Sequence, residues 1–122
     1  MNITNWLSYK ILEISNSDKT DGFLKKTHAF TPGDFTGAFF QAGVAELTMA
    51  CCCIGMALHG GVIPACGTFF VFSDYMKPAI RMAALMELPV KFIWSHDAFR
   101  VGEDGPTHEP VEQEAQVRLM EK

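Results

Sequence analysis

Apolar residues in this chain come in runs long enough for helices and runs short enough for strands, with glycine or proline between them. Residues 44–59 are almost entirely apolar and carry one acid, Glu46, near their start. That composition predicts a helix apolar on all sides, and such a helix is a buried one. Gly60-Gly61 ends it, since glycine adopts the left-handed backbone that closes helices. Residues 62–69 follow as a buried strand, and Ser73 reads as the N-cap of a helix over 74–87. Pro78 is tolerable in that helix only because it falls in the first turns, and Met76, Ile80, Ala83 and Ala84 supply the inner stripe. Leu88-Pro89 breaks the pattern, and residues 90–94 return as a strand.

The ends are less regular. Trp6, Leu7, Ile11 and Leu12 recur at near-helical spacing and predict a weak helix over 1–14, and residues 15–22 carry turn chemistry. Residues 23–36, with Lys25, Lys26, Pro32 and Gly33, show no period and suggest an irregular connection, before a short strand over 39–41. Residues 110–122 predict an exposed helix with a Glu114–Arg118 pair four apart. Strands alternating with helices predict an α/β fold, three layers α/β/α around a small, mostly parallel sheet.

Composition narrows the picture. At 122 residues, 48% hydrophobic and 20% charged, the chain has the make-up of one globular domain. Ten Lys and Arg against fourteen Asp and Glu leave no basic stripe, which argues against nucleic acid. Cys51, Cys52 and Cys53 are consecutive, a spacing that fits neither a disulfide framework nor a zinc site. They and Cys66 read as reduced, buried thiols in the cytoplasm. Residues 1–8 lack the basic start and apolar middle of a secretory leader. Residues 49–72 contain no Asp, Glu, Lys or Arg, but Gly60-Gly61 and Pro64 cut them into pieces too short to span a membrane.

Candidate chemistry concentrates directly behind the strand over 90–94. Ser95, His96 and Asp97 fall at its carboxyl end, where ligands bind in parallel sheets, and Gly102, Gly105 and Pro106 shape a loop carrying Asp104 and His108. These residues admit three readings: metal ligands, acid/base groups, or binders of a polar substrate. No HxxxH or CxxC spacing supports a metal, and no GxSxG elbow supports a serine triad. Binding of a polar ligand is the best supported.

The segments GTFFVFSDY, AIRMAALM, SHD and GEDGPTHEPVEQ, in this order and spacing within residues 43–113, closely resemble the pyrimidine-binding domain of transketolases. Those enzymes use thiamine diphosphate with magnesium to move two-carbon ketol units between sugar phosphates. The related deoxyxylulose-phosphate synthases share a DGPTH-like loop but lack a histidine at the position of His96. The resemblance implies roles by position. Glu46 stands where the family keeps its catalytic glutamate, which hydrogen-bonds the aminopyrimidine and drives the imino tautomer that deprotonates the thiazolium carbon. That role calls for a carboxyl in apolar surroundings, which the helix sequence offers. Phe69, Phe72 and Tyr75 match the aromatic residues that line the pyrimidine. His96, Asp104 and His108 match contacts to the substrate's phosphate or hydroxyls, and Ser15 matches a phosphate-contacting serine more loosely. His96 and His108 are accordingly candidate catalytic groups beside Glu46, and no residue is assigned to metal.

Departures bound the resemblance. Ala45 and Leu47 replace the basic residue and the histidine that often flank the glutamate, and Leu12-Glu13-Ile14 replaces an ADL-type strand before Ser15. The family's diphosphate domain with its GDG motif has no counterpart here, nor do the last strands of the pyrimidine domain. The resemblance divides the chain into residues 1–22, a poorly matching helix and turn, and 23–122, a pyrimidine-binding domain incomplete at its carboxyl end. It implies a truncated or split transketolase acting on a sugar phosphate or small carbonyl compound, complemented by a separate diphosphate-domain chain or by homodimerisation. A non-catalytic remnant or interaction domain is the alternative, and a cofactor-independent carboligase using the loop histidines is the second.

Overall fold

The computed structural model describes residues 10–15, 28–97 and 104–120. Four strands, β1 (Lys10–Ser15), β2 (Phe39–Gln41), β3 (Val62–Phe69) and β4 (Lys91–Ser95), form one parallel sheet in the order β2-β1-β3-β4. Helices α1 (Glu46–His59) and α2 (Ser73–Leu85) join β2 to β3 and β3 to β4, and a short α3 (Gln113–Arg118) follows. The α/β class with a short parallel sheet is as the sequence predicts.

One prediction fails at the amino terminus. Residues 10–15 are strand, against a helix expected to residue 14 and a turn expected from Ser15, and they lie between β2 and β3. Ile11, Leu12 and Ile14 fit a buried strand as well as a helix, and the ladder on both sides of β1 overrides a weak helical period. Trp6, Leu7, the turn at 16–22, Lys25 and Lys26 lie outside the described residues.

The core forms where α1 and α2 meet the sheet. Met49, Ala50 and Cys53 of α1, Cys66 of β3, and Met76, Ala79 and Ile80 of α2 make one buried cluster. In β3, Pro64, Ala65 and Cys66 are buried in succession, so both faces of that strand are covered, as in a central strand. Pro64 lacks an N–H, and it sits one residue before the ladder with β4 begins at Ala65. Gly60, at φ 82°, turns the chain out of α1 as its sequence predicts.

Three further expectations are corrected. Helix α1 is buried on one face only, with Leu47, Cys51 and Leu58 exposed. The cysteine triplet therefore grades from exposed Cys51 through half-buried Cys52 to buried Cys53, because successive residues on a helix point about 100° apart. The side chain of Ser73 caps nothing: the 3₁₀ turn Phe70–Phe72 precedes it, Ser73 lies inside α2, and its Oγ is buried with no hydrogen-bond partner among the described residues. Helix α3 is shorter than predicted and is not wholly exposed, since its first residue, Gln113, is buried.

The outward faces of α1 and α2 border an open apolar groove of about 310 Å³, lined by Leu47, Cys51, Ile54, Pro78, Met82 and Met86. Among the described residues, no helix is long and apolar enough to cross a membrane.

Candidate functional site

All four strands are parallel, so their carboxyl ends share one edge. The register sets Ser15 beside Gln41 and Gly67, and Phe69 beside Ser95. Chain order reverses at β1, whose neighbours β2 and β3 lead away in opposite directions. Such a switch point opens a crevice at the carboxyl edge, where ligands of open α/β sheets bind.

An aromatic ladder occupies that edge. Phe69, Phe72 and Tyr75 are spaced by three residues through the 3₁₀ turn and the start of α2, and a three-residue turn places such side chains in line. Phe69 and Phe72 stack with centroids 6.1 Å apart and planes at 15°, and Phe72 and Tyr75 at 6.2 Å and 28°. Tyr75, at the outer end, is 63% exposed.

Both histidines close on this ladder. His96 follows β4 at φ +54°, a left-handed conformation in which histidine is enriched among non-glycine residues. Its ring lies flat on Phe69 at 3.7 Å and 19°. His108 arrives from the loop and meets Phe72 edge-on at 5.2 Å and 80°, and Phe69 at 6.3 Å and 71°. Each histidine pairs Nδ1 with the hydroxyl of the residue before it, Ser95 at 3.0 Å and Thr107 at 2.8 Å. Nδ1 of each ring is thereby engaged within its own segment. Gly105, at φ 73°, permits the turn in which its carbonyl accepts the His108 N–H at 3.1 Å.

The remaining candidates stand on other elements. Glu46 is the first residue of α1, just beyond the carboxyl end of β2, and it is only 9% exposed. A negative charge is favoured at that helix terminus by the peptide dipoles. Ser15 ends β1 at the switch point. Asp104 is exposed and is not part of the ring cluster. Gly102 lies outside the described residues. No group of three His, Cys, Asp or Glu able to hold a metal ion occurs among the described residues.

Two contributors escape the sequence. Gln113 donates from Nε2 to Asp74 Oδ2 at 3.0 Å and accepts the Val111 N–H on Oε1 at 2.8 Å. Asp74 pairs with Lys77 at 2.7 Å, and Lys77 donates to Gln116. Asp74 and Gln113 are 39 positions apart, and no local pattern signals their contact.

The sequence profile of the family described as transketolase, pyrimidine binding domain, matches residues 12–122. A transketolase from Bacillus subtilis is 54% identical over 108 residues, covering 88% of this chain and 16% of the relative. A crystal structure of a Pichia stipitis transketolase in complex with sedoheptulose-7-phosphate superposes with a TM-score of 0.84 at 35% identity, covering 92% of this chain and 18% of that one. A split-gene transketolase described as an inactive beta4 tetramer shares the fold, with a TM-score of 0.67 at 24% identity over 92% of this chain and 34% of that one. The chain thus spans about a sixth of the length of the full relatives it matches.

Proposed function

The chain belongs to the transketolase family as a pyrimidine-binding domain, and from that premise we propose that it supplies the pyrimidine half of a thiamine diphosphate site for ketol transfer between carbonyl compounds. The observation that carries this reading is the ladder of Phe69, Phe72 and Tyr75 at the switch-point edge, joined there by His96 and His108. Flat apolar rings suit an aromatic heterocycle, and the open end at Tyr75 leaves room to admit one.

The residues present fit the pyrimidine portion of the cofactor. Phe69, Phe72 and Tyr75 would hold the ring, and Glu46 would engage its polar edge. Thiamine diphosphate, when bound, supplies the electron sink by which a ketol carbon–carbon bond is broken and remade. Glu46 takes up and returns a proton at its carboxylate, which its low exposure shields from bulk water. His96 and His108 present Nε2 to the hydroxyl or phosphate groups of a sugar phosphate, each ring oriented through Nδ1 by its neighbouring hydroxyl. Asp104 and Ser15 would add polar contacts to the same substrate. A diphosphate-binding unit, on a partner chain or another copy, would provide the metal and the other half of the cofactor site.

The test is titration of the chain with thiamine diphosphate and magnesium, alone and with a transketolase diphosphate-binding unit, followed by a hydroxypyruvate carboligation assay. Turnover is expected in the complemented sample, and Glu46→Gln is expected to abolish it. An unchanged rate in that variant removes Glu46 from the mechanism.

A second reading, a non-catalytic interaction domain, is favoured by the open apolar groove between α1 and α2 and by Leu47 within it. Tight association with a partner and no turnover in the complemented sample would select it.

A further inference from the structure

The loop carrying His108 has a built anchor, and that anchor is a polar side chain buried to 2% exposure. Buried amides persist where their hydrogen bonds are met, and both ends of the Gln113 amide are used. Oε1 accepts the Val111 N–H at the base of the loop, and Nε2 donates to Asp74 Oδ2 in the first turn of α2. Asp74 falls between Phe72 and Tyr75 in the chain and pairs with Lys77, so it is attached to the same turn as the aromatic ladder. Lys77 ion-pairs with Asp74 at 2.7 Å and donates to Gln116, one turn along α3. Two bridges, Gln113 to Asp74 and Gln116 to Lys77, therefore pin α3 to α2.

We propose that Gln113 is a positioning residue: by joining the backbone of Val111 to Asp74, it sets His108 against the edge of Phe72. Among the described residues, His108 reaches the ladder through ring contacts at 5.2 and 6.3 Å, and its polar contacts there, to Thr107 and Gly105, lie within its own loop. Ring contacts alone allow an imidazole to slide, whereas a two-ended amide fixed to a carboxylate does not. The short span between them favours the same placement, since only four residues separate His108 from Gln113 and Pro110 restricts the backbone there. The consequence for turnover rests on the thiamine diphosphate reading above, but the placement of His108 does not.

The test reads the imidazole directly. The ring-proton resonances of His108 are expected to be displaced by the currents of Phe72 and Phe69, and those of exposed His59 serve as the reference. In Gln113→Leu, the His108 displacement is expected to collapse toward the His59 position, while that of His96, stacked on Phe69 from β4, is expected to stay. Glu114→Gln, which removes the exposed Arg118 pair on the same helix, is expected to leave both histidines in place. Asp74→Asn keeps an acceptor for the Gln113 amide and should preserve the displacement. If Gln113→Leu does not fold, Asp74→Ala carries the same expectation with the amide intact. An unmoved His108 in folded Gln113→Leu or Asp74→Ala overturns the proposal, as does loss of the displacement in Glu114→Gln. Because no cofactor or activity enters the measurement, absence of turnover bears on the proposed function and leaves this result standing. Where complemented turnover is present, Gln113→Leu is expected to lower it on the order of tenfold to a hundredfold, as for a displaced substrate-positioning group.

Discussion

The same two helices present two apolar faces with different fates. Met49, Ala50 and Cys53 of α1 meet Met76, Ala79 and Ile80 of α2 over the sheet and are almost wholly buried. On the outer side, Leu47, Cys51 and Ile54 face Pro78, Met82 and Met86 across an open groove, with Leu47 45% and Met82 47% exposed. Side-chain chemistry barely differs between the faces; methionine, cysteine and aliphatic residues occur on both. Apolar composition therefore identifies surface that is to be covered, and only packing decides whether the chain covers it itself. Contiguous exposed apolar surface of this kind is a mark of interaction sites.

Core truncation should separate the faces most sharply. Met76→Ala removes a fully buried side chain and is expected to cost about 2–5 kcal/mol in denaturant unfolding, whereas Met82→Ala should cost no more than about 0.5 kcal/mol. Equal losses would show that the groove is filled in solution.

The cysteines give a finer comparison. Cys51 is expected to react readily with a thiol reagent, Cys52 more slowly, and Cys53 and Cys66 only on unfolding. A hydrogen bond with Cys66, together with burial, pushes the Cys53 thiol up from its ordinary value. A folded-state value above the unfolded one stabilises the fold fully below the unfolded value, about pH 8.5, and that stabilisation is lost progressively as pH rises beyond it. Thermal unfolding across pH 8 to 10 should show this decline, and Cys53→Ala should flatten it. The smallest effect belongs to the groove surface: Leu47→Gln with Met82→Gln should change stability by no more than about 0.5 kcal/mol, and if the proposed homodimer forms through the groove it should lower the sedimentation coefficient toward that of a single chain. Unaltered association would place the contact elsewhere.

Much of the local structure around the candidate site is legible in the sequence because its determinants are local. The 62–69 strand, the glycine stop at Gly60 and the three-residue spacing of Phe69, Phe72 and Tyr75 depend on neighbours in the chain. Ser73 misled because a serine before an apolar helix resembles a cap, yet the 3₁₀ turn ahead of it already supplies the helical start. Strand β1 misled because its apolar residues suit either period, and its identity comes from ladder bonds to β2 and β3.

The sequence by itself determined the alternation of strands and helices, the residue types at the carboxyl edge and the family, since these follow from short-range patterns and motif order. Tertiary structure decided which helix face is buried, that His96 and His108 converge on one aromatic ladder from separate segments, and that Gln113 reaches Asp74. Those features depend on contacts between residues far apart in the chain, whose free energy exists only once the sheet has brought them together.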